Sequence, residues 1–174
     1  MPRYSEASAT PAALDFYNLS GLKAIMRTTG ARALLGGLLN HGIDTIFGLP
    51  GGQLDHFFDA MYLAADRVRF IGTRHEQGAA YMAFGYARST GRPSAYVVVP
   101  GPGVLNTTAA LCTADGANQP VLCLTGQTPA AYIGQGRGHL HELRDQLGVL
   151  RSIGKWGARI DHPQQAAALM TEAL

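Results

Sequence analysis

The sequence, 174 residues long, contains little charge. Lysine, arginine, aspartate and glutamate together make up 15% of it, against about 25% in an average globular protein. We therefore expect a partner to cover part of the surface. The 14 basic and 12 acidic residues are scattered along the chain and form no basic stripe, so the distribution predicts no nucleic-acid binding.

Cysteine and long apolar runs are also scarce. Cys112 and Cys123 stand beside leucines without CxxC spacing, which predicts reduced thiols in the core and a cytoplasmic location. No stretch approaches the ~18 apolar residues of a membrane span, so no membrane partner is expected. Residues 1–28 lack the apolar segment and cleavage site of a secretory signal, and we interpret them as an N-terminal tail.

Glycine, by contrast, is abundant. There are 22 glycines, about twice the average usage of ~7%, and they follow no collagen-like period. Glycine serves turns and close approaches of the backbone. This composition favours a site built from loops.

From Thr29 onward, helical and strand patterns alternate. Apolar residues at helical spacing predict helices over residues 31–39, 54–62, 76–89 and 104–115. Short apolar runs predict strands over residues 43–47, 68–72, 95–99 and 121–125. Unbroken apolar strands between helices are typical of a mostly parallel sheet covered on both faces, which is a doubly wound, three-layer α/β domain. Sites in such domains lie at the carboxyl ends of the strands.

The last 49 residues depart from this alternation. Residues 126–150 contain five glycines and a polar run, which predicts a long functional loop. Residues 155–160 are interpreted as a further strand, and Pro163 as the first turn of a helix that continues to Leu174. Because that helix still runs at the last residue, we expect a piece of a longer enzyme or one subunit of a split enzyme.

Simple alternatives exist for the polar motifs. Gly101 and Gly103 imitate part of a dinucleotide fingerprint, but Asn106 occupies the third glycine's place and no acidic residue follows for a ribose. Glu76, between a strand and a helix, is compatible with a mere helix-dipole contact worth about 0.3–1 kcal/mol. The two histidines at 139 and 141 have no third ligand at a known spacing, so no metal site is predicted.

Several motifs, in order and spacing, resemble the thiamine diphosphate enzymes, and the chain is similar to the N-terminal pyrimidine-binding domain of acetolactate synthase-like members. The resemblance covers residues 29–174 and implies the fold of that domain. The motifs are Gly48-Leu49-Pro50-Gly51-Gly52, Arg74-His75-Glu76-Gln77-Gly78-Ala79, Gly85-Tyr86-Ala87-Arg88, Gly101-Pro102-Gly103-Val104-Leu105-Asn106 and Leu124-Thr125-Gly126-Gln127.

The resemblance implies a catalytic role for Glu76. The matching glutamate in the family hydrogen-bonds N1′ of the cofactor's aminopyrimidine and so promotes deprotonation of the thiazolium C2, which is acid–base work suited to a partly buried carboxylate. The cofactor would then accept electrons in the decarboxylation of a 2-oxo acid. The residues implied in thiamine diphosphate binding are Pro50, Gly51, Gly52, Glu76, Pro102, Gly103 and Asn106, although Asn106 is equally compatible with a purely structural turn.

The substrate is less well indicated. Acetolactate synthases carry an aromatic residue followed by a glutamine in the loop after the fourth strand, and the approximate counterparts here are His141 and Glu142. Together with Gln127, these are the candidate substrate contacts. Because the two residues depart from the family pattern, the 2-oxo acid and the acceptor stay open.

These residues do not include the motifs of the second, diphosphate-binding domain that the family uses to complete its active site. The Gly-Asp-Gly and Asn-Asn sequences that hold Mg²⁺ and the diphosphate do not occur, so Mg²⁺ is expected only through a diphosphate-binding domain in the same or another chain. The resemblance implies a homo-oligomeric lyase or transferase that decarboxylates or ligates 2-oxo acids, and we expect this chain alone to be inactive. Alternatives are the pyrimidine subunit of a two-gene decarboxylase, similar to sulfopyruvate decarboxylase, and a non-catalytic nucleotide-binding module.

Overall fold

The fold, taken from a computed structural model, is described for residues 12–17 and 23–174. The strands are β1 (Ala12–Tyr17), β2 (Lys23–Thr28), β3 (Thr45–Gly48), β4 (Arg69–Gly72), β5 (Ser94–Val98) and β6 (Val121–Thr125). The helices are α1 (Gly30–Asn40), α2 (Asp55–Tyr62), α3 (Glu76–Thr90), α4 (Pro102–Leu105), α5 (Thr108–Gly116), α6 (Gln146–Arg151) and α7 (Ala166–Ala173). Two 3₁₀ turns cover Ala130–Tyr132 and Pro163–Gln165.

The segment interpreted as a tail lies partly outside the described residues, namely at 1–11 and 18–22. In its described part, β1 and β2 pair antiparallel, with Ala12 opposite Thr28 and Tyr17 opposite Lys23. The two strands form a sheet of their own.

The main sheet has four parallel strands in the order β4-β3-β5-β6. The chain passes from β3 outward to β4 and then returns across β3 to β5. The carboxyl ends of β3 and β5 therefore flank a topological switch point, where doubly wound sheets place their ligands. The predicted α/β class is confirmed.

Helices cover both faces of this sheet. On one face, α1, α2 and α7 bury Leu38, Phe57 and Met170 against β3 and β5. On the other face, α3 and α5 pack through alanines, including Ala79, Ala80, Ala83 and Ala110. All five residues of β5 are buried, as expected for the central part of a sheet covered on both sides.

The predicted helix over residues 104–115 is interrupted. It divides into α4 and α5 at Thr107, whose buried hydroxyl donates to the Val104 carbonyl at 2.7 Å and accepts from the Tyr96 hydroxyl at 2.9 Å. A side chain that hydrogen-bonds nearby backbone competes with regular helix formation. The break is therefore tied to a buried side-chain contact with β5.

The strand predicted over residues 155–160 is wrong. These residues form no strand, and the side chain of Trp156 donates through Nε1 to Glu172 on α7 at 3.0 Å. A cavity of about 560 Å³ lies between this segment and β6. A strand needs a neighbour within about 4.8 Å, and the segment has none among the described residues.

The end of the chain and the cysteines also differ in part from the sequence-based expectations. The helix expected from Pro163 is present as a 3₁₀ turn followed by α7, whereas α6 begins inside the predicted loop. Both cysteines are free, but Cys112 is exposed, so its predicted burial is wrong. Cys123 is half-buried, and desolvation raises the pKa of its thiol to about 12.

Candidate functional site

The loops that follow β3, β4 and β5 lie side by side at the carboxyl edge of the sheet. The backbone N–H of Thr73, just after β4, donates to Gly48 at 2.8 Å, and that of Leu49 donates to Val97 on β5 at 3.2 Å. Parallel pairing therefore continues for one residue beyond the strands. It aligns the three loops at the switch point.

Two glycines in these loops pack against one valine. A Cβ on Gly51 would lie 2.5 Å from Cγ1 of Val99, and a Cβ on Gly103 would collide with Cγ2 of the same side chain. Real Cβ atoms do not approach this closely. Val99 thus fills the space that a side chain at either position would need, so only glycine fits at Gly51 and Gly103 without a shift of Val99.

The carboxylate of Glu76 lies beside Gly103. Glu76 opens α3, and His75 caps the helix through a ring nitrogen that accepts from the Gln77 N–H at 3.1 Å. The side-chain amide of Asn106 donates to Oε2 of Glu76 at 2.9 Å. The other oxygen, Oε1, faces Gly103, where a Cβ would be 3.6 Å away, and it has no hydrogen-bond partner among the described residues.

Asn106 is placed by the short helix α4. Gly101 precedes that helix with a φ of +60°, a conformation that favours glycine. Pro102 occupies the first helical position, and the Asn106 N–H closes the turn on the Pro102 carbonyl at 3.0 Å. The turn therefore places Asn106 at Oε2 and Gly103 near Oε1 of the Glu76 carboxylate.

A second group of polar residues lies next to this turn. A hydrogen bond of 2.8 Å joins Nδ1 of His141 to Oε1 of Gln53, and the Gln53 amide donates to the Leu140 carbonyl at 3.2 Å. Both His141 and Gln53 have a positive φ, +63° and +67°. The carbonyl of His141 fills the place that a side chain on Gly101 would occupy. The predicted long loop is thereby fastened to the loops after β3 and β5.

Glu142 and Gln127 have other contacts. The Glu142 carboxylate accepts from the backbone N–H groups of Gly136 and His139, each at 2.9 Å, and it braces its own loop. These bonds, that of His139 first, lower the pKa of Glu142. Gln127 accepts from the N–H of Thr128 at 2.8 Å. Among the described residues, neither side chain forms a hydrogen bond with Glu76.

The structure thus separates the candidate residues into groups. Gly51 and Gly103 pack against Val99, and Glu76 lies beside Gly103 and is hydrogen-bonded to Asn106. Pro50, Gly52 and Pro102 lie in the same loops with exposed positions, whereas His141 belongs to the neighbouring polar group.

Two glutamines of this region are not singled out by the sequence. Gln53 directly follows the predicted glycine loop. Gln146, only 6% exposed, accepts from the Gly101 N–H at 2.8 Å and donates to the Gly126 carbonyl at 3.0 Å. A glutamine immediately before the apolar run of α6 is the one signal in the sequence that could have indicated Gln146.

Within residues 12–17 and 23–174, no three histidine, cysteine, aspartate or glutamate side chains gather as a metal would require. No helix in the same residues has both the length and the apolar character needed to cross a bilayer.

Comparison with known proteins matches residues 28–149 to the family described as "Thiamine pyrophosphate enzyme, N-terminal TPP binding domain". A probable 2-ketoarginine decarboxylase of Pseudomonas aeruginosa is 37% identical over 145 residues, which are 83% of this chain and 26% of the relative. An acetolactate synthase of Arthrospira platensis is 38% identical over 153 residues, 87% of this chain and 26% of the relative. A probable acetolactate synthase large subunit of Methanocaldococcus jannaschii is 39% identical over 136 residues, covering 78% and 22%.

The chain therefore spans about a quarter of the length of the curated relatives it matches. The resemblance inferred from the motifs is confirmed by the family match, which covers more than half of the chain. The chain belongs to the thiamine pyrophosphate enzymes, as their N-terminal TPP-binding domain, and its cofactor is thiamine diphosphate.

Proposed function

We propose that this domain is the pyrimidine-binding half of the active site in a 2-oxo acid decarboxylase or carboligase, with Glu76 as its catalytic carboxylate. The observation that carries the proposal is the position of Glu76 at the switch point. One of its oxygens accepts a hydrogen bond from Asn106, and the other faces Gly103 and has no hydrogen-bond partner among the described residues.

The residues present fit a flat heterocycle. Pro50 and Gly52 after β3 and Pro102 after β5 are exposed at this edge, and a glycine without a side chain admits close approach of a ligand to the backbone. The residues that would hold the pyrimidine are Pro50, Gly51, Gly52, Glu76, Pro102, Gly103 and Asn106. When bound, thiamine diphosphate supplies the carbanion-stabilising chemistry that 2-oxo acids require.

Glu76 is proposed to hold and move one proton at Oε1. The hydrogen bond from Asn106 to Oε2 fixes the plane of the carboxylate, so that Oε1 keeps one direction toward the edge of the sheet. The positive end of the α3 dipole also favours a negative charge at this position. Positioned acid–base groups of this kind contribute about 10²–10⁴-fold to reaction rates.

His141 is proposed to contact the substrate from the neighbouring loop. It is fixed by Gln53 at 2.8 Å and lies against the turn that leads to Asn106. Glu142 and Gln127 are proposed to shape the same loop, through the backbone groups that they bind. The relatives include a protein named for 2-ketoarginine and others named for acetolactate, and the 2-oxo acid used by this chain is left to experiment.

The second half of the site is proposed to come from a diphosphate-binding domain, in the same or another chain of a homo-oligomer. That domain would supply Mg²⁺ and the diphosphate ligands. The low charge content of 15% and the half-exposed Tyr81, Met82 and Leu105 agree with a surface that a partner covers. A two-gene decarboxylase would use the same residues in the same way.

The replacement Glu76→Gln tests the proposal in the enzyme that contains both domains. We expect the rate of hydrogen–deuterium exchange at C2 of the bound cofactor to fall by about 10²–10⁴-fold, because a neutral amide cannot hold and move a proton as the Glu76 carboxyl group would. The free energy of unfolding should change by at most about 1 kcal/mol.

The matched control is Asp66→Asn. Asp66 is an exposed acid just before β4, at the amino-terminal end of the strand and therefore at the edge of the sheet opposite the proposed site. Its C2 exchange should equal that of the unmodified enzyme. If C2 exchange in the Glu76→Gln enzyme equals that of the unmodified enzyme, Glu76 has only a structural role and the proposal is wrong.

A further inference from the structure

The buried side chain of Gln146 joins two loops of the site. Its Oε1 accepts from the N–H of Gly101, after β5, and its Nε2 donates to the carbonyl of Gly126, after β6. With 6% exposure, the amide is almost completely withdrawn from solvent. Buried polar groups are kept where their bonds are satisfied, and both ends of this amide have a partner.

The turn that Gln146 holds has little support of its own. Gly101 is buried and has a φ of +60°, and its N–H has no acceptor other than Gln146 among the described residues. The helix that follows, α4, consists of only four residues and has no side-chain N-cap. A single helical turn is not stable by itself, so the position of α4 depends on contacts at its two ends.

The other end of α4 lies at the proposed catalytic carboxylate. Asn106 ends the helix and donates to Glu76 at 2.9 Å, and Gly103 lies on the side of Oε1. Gln146 itself is well fixed, because α6 is capped by Asp145, which accepts from the Gly148 N–H at 2.8 Å, and Leu150 packs on the core. A chain of direct contacts therefore runs from α6 through Gly101 and α4 to Glu76.

We propose, on the basis of the function proposed above, that Gln146 is a positioning residue for Glu76. It fixes the start of α4, and α4 fixes Asn106 on the carboxylate. The same bonds fasten the loop that carries His141 to this turn, so that loop order and the orientation of Glu76 are coupled through one side chain.

The replacement Gln146→Leu, which removes both hydrogen-bonding groups at similar size, tests this coupling in the isotope-labelled 174-residue chain without cofactor. We expect amide hydrogen exchange at Gly101 to accelerate at least tenfold. We also expect the Asn106 side-chain amide and the Glu76 carboxyl resonances to shift. The replacement Gln146→Glu keeps the acceptor for Gly101 and should restore part of the Gly101 protection and of the Asn106 signal.

Gln119→Leu provides the matched control. Gln119 is a half-buried glutamine whose amide donates to Ala117 within its own turn, near the opposite end of β6. This variant should leave the Gly101, Asn106 and Glu76 signals unchanged. Where the leucine variant does not fold, Gln146→Asn, which shortens the side chain by one carbon, takes its place with the same expected shifts.

Two results would overturn the inference. Unchanged exchange at Gly101 would show that the bond from Gln146 does not protect the turn. Faster exchange at Gly101 with unmoved Asn106 and Glu76 signals would limit Gln146 to bracing the loop.

In the complete enzyme, we expect C2 exchange and kcat to fall about tenfold or more in Gln146→Leu with KM within about twofold, since small misplacements of a reacting group reduce rate.

The failure of the inference and of the proposed function can be told apart. Unchanged C2 exchange in Glu76→Gln would remove the proposed function, while the signals of the cofactor-free chain would still report whether Gln146 controls Asn106. Conversely, a raised KM with unchanged C2 exchange in Gln146→Leu would overturn only the positioning role.

Discussion

Val99 explains why two residues of the site are glycines. Its two methyl groups stand where the Cβ atoms of Gly51 and Gly103 would be, so three residues from two loops fit together as one packed unit. The motifs indicate both glycines, but only the fold reveals the valine that requires them. Gln146 illustrates the same limit, because its two partners lie 45 and 20 residues away in the chain.

Replacement of Gly103 by alanine is expected to destabilise the domain. The new Cβ would collide with Cγ2 of the buried Val99, and such overpacking costs about 1–3 kcal/mol. Chemical denaturation measures the difference in unfolding free energy. The matched variant Gly85→Ala adds a methyl group on α3, where nothing lies within 4 Å, and should instead stabilise by up to about 1 kcal/mol.

The collision can be isolated with a double-mutant cycle. Because Val99→Ala removes the methyl group that a Cβ at position 103 would meet, Gly103→Ala should cost less in the Val99→Ala background. The expected coupling is about 0.5–3 kcal/mol, as for residues in direct contact. Additive effects would mean that the strain at Gly103 has another source.

At the scale of elements, the strands with strong apolar runs were predicted best. Val121–Thr125 has the predicted bounds, and β3, β4 and β5 differ from theirs by one or two residues. The apolar runs are fully buried in β5, mostly buried in β3 and partly buried in β4 and β6. The strand predicted over residues 155–160 failed because a strand requires a neighbour as well as a suitable composition. The division between α4 and α5 depends on the contact of Thr107 with Tyr96, which no local pattern contains.

The loop around Glu142 is expected to loosen in acid. Backbone N–H groups, that of His139 first, lower the pKa of Glu142 below its ordinary value. The stabilising contribution is therefore complete above the unfolded-state pKa of about 4.3 and is lost as the pH falls through the lower folded-state value. The amide resonances of Gly136 and His139 should follow this titration.

Glu142→Gln is the control for that titration. The amide oxygen can still accept from one N–H group, but it does not ionise, so the acid transition of the two resonances should disappear. A midpoint at or above the ordinary glutamate value in the unmodified chain would contradict the bracing role of Glu142.

At the scale of the whole molecule, the candidate residues occupy one edge of the sheet. In the proposed half-site, Glu76 and Asn106 act on one part of the cofactor, and the ligands of Mg²⁺ and the diphosphate come from another domain. The sequence motifs predicted the fold and the family. The chain aligns with only about a quarter of the length of each relative. If the proposed half-site is correct, substrate choice depends on how the two domains meet, and a residue pattern within one domain does not contain that geometry.

The 174-residue chain alone is expected to have negligible activity toward 2-oxo acids. Ligand stabilisation grows with the ratio of ligand concentration to Kd, so thiamine diphosphate with Mg²⁺ should raise its Tm little, because the pyrimidine edge offers only part of the contacts. When a diphosphate-binding domain from a relative is added as a separate chain, the Tm shift should increase and decarboxylation should appear. The same mixture with Glu76→Gln should show the larger Tm shift but little decarboxylation. Two outcomes would contradict the half-site: turnover by the purified chain well above that of free cofactor, and a large Tm shift without the second domain. The first would mean that this edge alone activates the cofactor, and the second that it alone holds the whole cofactor.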